Sequence, residues 1–379
     1  MTAMTTASGS ATGHPGEEPG DWMALHVFYA GNPAPLLSQC VAPLVRELRR
    51  RGLIHRYFFI RYWMEGPHTR LRLRPARPQD TAEVSRLAEA AIEDYLRRRP
   101  AVYSVDSDMT ADLYRQMFVA EYGERAWQAK YGDEGKMPVR ENNTYAYIEY
   151  EQEHDRYGGP AGVELAEWHF EQSSDMVLRL LETTNVHVRT VMFGISAQLT
   201  LAMCFTFLGS GEQVADFLEG YGSFWEMSYM QADDNRHDMY DKVYAELAGS
   251  LAARTAEIRA ALTSGQPGEL TGFAREWAEH CRELRERVVA AVADRQLVFQ
   301  VFEDRTAGGG IHLDDERERR PAADPAMTLR ILLSSYVHMT NNRLGVNIHD
   351  EVYLAYLLKR AVLDDMARTG DGPRESGAR

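Results

Sequence analysis

Residues His55 to Arg77 read HRYFFIRYWMEGPHTRLRLRPAR, and the run Thr69 to Arg74 within them alternates strictly. Alternate residues of a β-strand share a face, so Arg70, Arg72 and Arg74 project one way and Leu71 and Leu73 the other. The aromatic and β-branched run Arg56 to Trp63 reads as a partner strand, with Met64 to Pro67 as the turn. Guanidiniums in a row on a leucine-backed sheet are suited to holding carboxylate or phosphate.

Upstream, Trp22 to Tyr29 reads as a strand. Pro35 to Arg51 follows as a helix with Leu37, Val41, Leu44, Val45 and Leu48 on its apolar stripe, and Pro43 should kink or split it. Downstream, Asp80 to Arg99 reads as a second helix. This β-α-β-β-α order predicts an α+β fold: an N-terminal ferredoxin-like mixed or antiparallel sheet with helices on one face. Ala111 to Lys130 reads as a helix and Tyr145 to Tyr150 as a short strand. Beyond Gly159-Pro160 the longer period takes over, predicting helices at 162–181, 187–208, 212–230, 238–261, 270–299, 325–339 and 350–368. The chain is thus read as one domain over residues 21–368, an α+β part at 21–160 and a mainly helical part at 161–368. Disordered tails at 1–20 and 369–379 flank it, and 303–320 reads as a charge-dense loop.

The formal net charge of −14 argues against a broad nucleic-acid or anionic-membrane surface. Yet residues 46–77 are dense in arginine and oppose it with only Glu47 and Glu65, a pattern suited to one defined anion. Cys40, Cys204 and Cys281 give neither a disulfide framework nor a metal-ligand spacing, which favours the cytoplasm. Thr190 to Leu208 approaches membrane-span length, but Ser196, Gln198, Thr200 and Thr206 interrupt it and a core helix is expected.

Two further stretches could carry chemistry: Tyr150 to Gly159 (YEQEHDRYGG) and Ser334 to Gly345 (SSYVHMTNNRLG). Together with FFIRYW, PHTRLRLR and AEWHFEQSS (Ala166 to Ser174), they resemble the C-terminal, glutamate-eliminating domain of class I lanthipeptide dehydratases. That domain also occurs as a separate protein in thiopeptide-type pathways. The resemblance runs in order over most of residues 22–360. It implies a lyase that removes glutamate from O-glutamylated Ser or Thr of a ribosomally made precursor peptide, leaving dehydroalanine or dehydrobutyrine. The family's essential arginines fall on Arg70, Arg72 and Arg156, and its histidine on His338. His68, Arg74, Tyr157 and Arg343, within the same motifs, are expected at the substrate. The resemblance requires no metal or cofactor and implies a separate tRNA-dependent glutamylating protein. The oligomeric state, a homodimer included, stays open.

The chemistry agrees with the residues. Fixed guanidiniums stabilise a departing carboxylate, and an imidazole titrating near neutrality serves as base or proton shuttle for the α-proton. Two departures bear on substrate: an extra segment at 101–144, and Asn341 where a small or aliphatic residue is expected. Rival readings are a thiopeptide pyridine synthase on the same fold and a non-catalytic leader-peptide-binding partner. Glu164, Glu167 and Glu171, at helical spacing, read as a solvated face, and the tyrosines of 145–150 as packing.

Overall fold

The computed structural model describes residues 19–370, apart from 104–106, 133–134, 232, 234, 265–266, 271, 301–318 and 323. The tails expected at 1–20 and 369–379 and the loop expected at 303–320 thus lie almost wholly outside the described residues. The chain divides into two compact units: residues up to Val105 with Pro138–Glu151, and Asp106–Met137 with the chain from Gln152 onward.

The first unit comprises β1 (Met23–Phe28), α1 (Pro33–Leu36), a π turn (Leu37–Val41), α2 (Ala42–Arg50), β2 (Ile54–Tyr62), β3 (His68–Pro75), α3 (Thr81–Arg98) and β4 (Thr144–Tyr147). Its strands lie in the order β2-β3-β1-β4 with every neighbour antiparallel, the ferredoxin-like arrangement expected from the sequence. The arginine strand is therefore central, not an edge. Thr69, Leu71 and Leu73 are buried on one face, in register with Val27, Leu25, Tyr57 and Phe59. The apolar stripes of α2 (Val45, Leu48) and α3 (Val84, Ala88, Ile92) are buried in the same unit. The helix read over 35–51 comes in two α-helical pieces, α1 and α2, with Pro43 in the first turn of the second. The irregularity falls just before it, where the Ala42 N–H reaches back five residues to the Leu37 carbonyl.

The second unit comprises α4 (Ser107–Tyr122), α5 (Glu124–Tyr131), α6 (His154–Tyr157), α7 (Pro160–Thr183), α8 (Arg189–Leu208), α9 (Gly211–Tyr229), α10 (Arg236–Thr263), α11 (Gly272–Ala293), β5 (Val298–Gln300), β6 (Arg319–Pro321), α12 (Pro325–Leu344) and α13 (Ile348–Thr369). Helix α8 is apolar and long enough to cross a membrane, but it packs among α10, α11 and α12. Its one fully buried hydroxyl, on Ser196, donates to Asn341 Oδ1 at 2.7 Å, and its Leu199 carbonyl accepts from Trp277 Nε1 at 3.0 Å. Those bonds suit a protein interior, where a buried polar group must be satisfied. They also account for the asparagine at 341.

The structure corrects four readings. The helix read over 111–130 breaks at Gly123 (φ +87), giving α4 and α5. The helix read over 270–299 stops at Ala293, and Arg295 (φ +57) turns the chain into β5, whose Val298 N–H donates to the Gly158 carbonyl. The strand read over 145–150 ends at Tyr147. Of the glutamates read as a solvated face only Glu164 is exposed: Glu167 and Glu171 are buried, and Glu167 accepts from Gln152 Nε2 at 2.8 Å.

Candidate functional site

On β3 the side chains at 68, 70, 72 and 74 share the face opposite the leucines. Arg70 lies opposite His26 and Ile60, and Arg72 opposite Ala24 and Phe58. Guanidiniums two residues apart along a strand repeat about every 7 Å, and rings interleave them here. Arg70 sits 3.4 Å over the Tyr62 ring. Arg72 sits 3.9 Å over Tyr150 and 5.2 Å over Phe58, and Arg74 lies 5.9 Å from Trp22. Stacking of this kind contributes roughly 0.5–2 kcal/mol each and fixes the guanidinium plane.

His68 fixes Arg70 further. Its Nδ1–H donates to the Gly66 carbonyl at 2.9 Å, so its Nε2 lone pair accepts Arg70 Nε–H at 3.2 Å. Gly66 can offer that carbonyl because it takes φ +106 in the β2–β3 turn. Burial, helped by the arginines, lowers His68 to about 4, and it is neutral at pH 7. His26 stacks on it at 4.9 Å and is lowered to about 2 by burial, then by Arg70. Among the described residues, Arg70 and Arg74 thus engage a histidine, a carbonyl (Gly20, 3.3 Å) and rings rather than carboxylates.

In the second unit, Asp324 caps α12 by accepting from the Ala326 and Met327 N–H groups, with Pro325 at the first helical position. Gly345 (φ +96) ends α12, and the Asn347–Asp350 capping box starts α13. The turn between them sets Glu351 against His338, with Nδ1···Oε1 at 2.9 Å. The other oxygen of Glu351 accepts a short bond from the Tyr221 hydroxyl of α9. Trp225 of α9 packs on the His338 ring at 4.5 Å.

Arg156 lies on α6, before Gly158 (φ +81) and Gly159 (φ +99). A Cβ at Gly158 would lie 2.7 Å from the Phe299 ring, so the turn needs glycine for space as well as for φ. Arg156 pairs with Glu153 at 3.0 Å and feels the charge of Glu121 on α4. It also acts electrostatically on Tyr229, whose ring is 5.4 Å from Trp225. The Trp225–Tyr229 end of α9 thus packs on His338 and lies within electrostatic reach of Arg156. Helix α4, from the extra segment, supplies a charge there.

Other expected residues lie in the core. Tyr157 is buried and stacks on Tyr336. Arg343 is fully buried, donating to the Met339 carbonyl (2.7 Å) and Ser174 Oγ (3.2 Å) and lying over Phe170. Their placement is that of packing groups behind α12. The AEWHFEQSS stretch is core as well: His169 bonds His280 Nε2 at 2.9 Å and Thr340 Oγ1 at 3.3 Å. All three cysteines are free and buried, and burial pushes their thiols up, Cys40 to about 12, which makes them poor nucleophiles. The sequence reading missed Tyr62, Tyr150, Tyr221, Trp225 and Glu351. Tyr150 at least opens the YEQEHDRYGG motif, whereas nothing local marks Glu351.

A family model described as the C-terminal part of the lantibiotic biosynthesis dehydratase matches residues 22–362. The chain belongs to that family. It is thereby a member of the protein families of ribosomal peptide natural-product biosynthesis, and an enzymatic role follows at that coarse level. Among solved structures it is similar to TbtD, the pyridine synthase from thiomuracin biosynthesis (19% identity, TM-score 0.67, covering 92% of this chain and 99% of that one). It is also similar to TsrL (17%, TM-score 0.62, 92% and 95%). The tRNA-dependent lantibiotic dehydratase MibB from Microbispora sp. 107891 matches at 22% identity and TM-score 0.48, with 96% of this chain spanning 29% of that one. No curated protein sequence matches the chain.

Proposed function

We propose that this protein eliminates glutamate from O-glutamylated Ser or Thr of a ribosomally made precursor peptide. The observation that carries the reading is the ordered arginine face, with Arg70 held by His68 and Tyr62 and Arg72 by Tyr150 and Phe58. In the reaction the α-proton is removed with His338 as base or proton shuttle. The Cα–H electron pair becomes the Cα=Cβ π bond, the Cβ–O bond breaks, and its pair leaves with the glutamyl carboxylate. Arg70, Arg72 and Arg156 serve that developing charge, and pre-oriented donors of this sort act mainly on the transition state. The glutamyl ester would come from a separate protein using glutamyl-tRNA. The cytoplasm suits such a pathway.

The correspondence with TbtD over nearly the full length of both chains favours a second reading, pyridine formation from two dehydroalanines. Mass spectrometry of purified protein with a synthetic glutamyl-Ser peptide, and in parallel with a bis-dehydroalanine peptide, separates the two. Loss of a whole glutamate with alkene formation supports elimination. Turnover of the second peptide alone supports the pyridine reading. Binding of leader peptide with no turnover of either supports a non-catalytic partner.

A further inference from the structure

Glu351 belongs to no motif that relates this chain to its family, yet it makes the closest polar contact to His338. The carboxylate is buried, and the imidazole side chain is 21% exposed. A carboxylate only accepts hydrogen bonds, so the 2.9 Å contact at His338 Nδ1 places the proton on Nδ1. The second oxygen of Glu351 takes the Tyr221 O–H, which fixes the carboxylate plane. Glu351 also lies in the first turn of α13, where the positive end of the helix dipole favours an acidic side chain. Trp225 against the ring face removes the remaining rotational freedom.

We infer that Glu351 is the positioning residue for His338, holding it as the Nδ1–H tautomer so that Nε2 carries the lone pair that takes the α-proton, with Tyr221 holding Glu351. This rests on the elimination reading and decides between the two roles open to the histidine: it acts as base, through one named atom. On proton transfer, Nε2 gains the proton and the imidazolium stays bonded to the carboxylate through Nδ1. Glu351 accepts no proton and stabilises the charge that forms, the division of labour of an acid–histidine pair. The purely architectural alternative has Glu351 only tying α12 to α13.

Two measurements test it. In protein carrying 15N-histidine at alkaline pH, His338 is expected to show a protonated Nδ1 and a bare Nε2. The opposite tautomer overturns the inference, and this readout stands even if the protein eliminates nothing. With the glutamyl-Ser peptide, Glu351→Gln is expected to lower kcat by roughly 10- to 100-fold with KM within about twofold, and Glu351→Asp to recover most of the loss. Wild-type kcat in E351Q, or a change confined to KM, overturns it. Should E351Q fail to fold by circular dichroism, Tyr221→Phe carries the same test with an expected kcat loss of about 3- to 10-fold, and an unchanged kcat there overturns it too.

Discussion

The two units present their candidate site residues in opposite ways. In the first, the candidate side chains lie on one strand, two residues apart, and their order comes from the pleat. In the second, His338, Glu351 and Tyr221 come from three helices, with His338 and Glu351 thirteen residues apart and Tyr221 a further 130 from Glu351. A strand writes its face into the local sequence. A helical bundle writes it into the packing, where it is visible only once the helices have met.

Four measurements sharpen or break that contrast. The largest effect is expected at the proton-handling end: His338→Ala should lower kcat by about 10²- to 10⁴-fold with the circular dichroism melt near wild type, checked by single-turnover kinetics. A melt collapsing with the rate would make the histidine structural. Next, Trp277, fully buried and bonded to Leu199, should cost roughly 3–5 kcal/mol as Trp277→Ala in denaturant titration. A loss under about 1 kcal/mol would mean that the helical unit does not depend on this packing. On the sheet face, Arg72→Ala should lower kcat by about 10²- to 10³-fold and accumulate glutamylated peptide, followed by mass spectrometry. Arg72→Lys should rescue little, since an ammonium cannot stack between Tyr150 and Phe58 as a guanidinium does.

The smallest effect is one of pH. His68 and His26 are lowered on folding, to about 4 and about 2, chiefly by burial. Below their ordinary value near 6.5 the unfolded chain binds more protons than the folded one. The stability they contribute is therefore complete above pH 6.5 and falls as pH drops toward 4, by about 1 kcal/mol per pH unit for each group. His26→Phe keeps the stack on His68 and removes Nε2, which has no hydrogen-bond partner among the described residues. It should flatten the acid slope of a thermal melt series by one such share. An unchanged slope would show that His26 does not titrate between the folded and unfolded states.

How much was legible follows the same contrast. Arg70, Arg72 and Arg74 opposite Leu71 and Leu73 could be read from Thr69 to Arg74 alone, and the strand order followed from the element order. The Asp324-Pro325 start of α12 was equally plain, because capping is local. Glu351 was not, because its place depends on a turn at Gly345 and Asn347 that brings the start of α13 to His338 of α12. Arg343 and Tyr157 were expected at the substrate by membership of a motif. Burial, which a motif does not record, puts them in the core. The run Leu297 to Phe299 was read as the end of a helix because short apolar runs fit both periods; its strand partner, β6, begins only at Arg319.

The measurement that bears most directly on the account is the mass of a glutamyl-Ser peptide after incubation with the purified protein at neutral pH. Elimination predicts loss of a complete glutamate and a product that adds a thiol at the new alkene. Recovery of intact ester, or its hydrolysis to serine, would contradict the account.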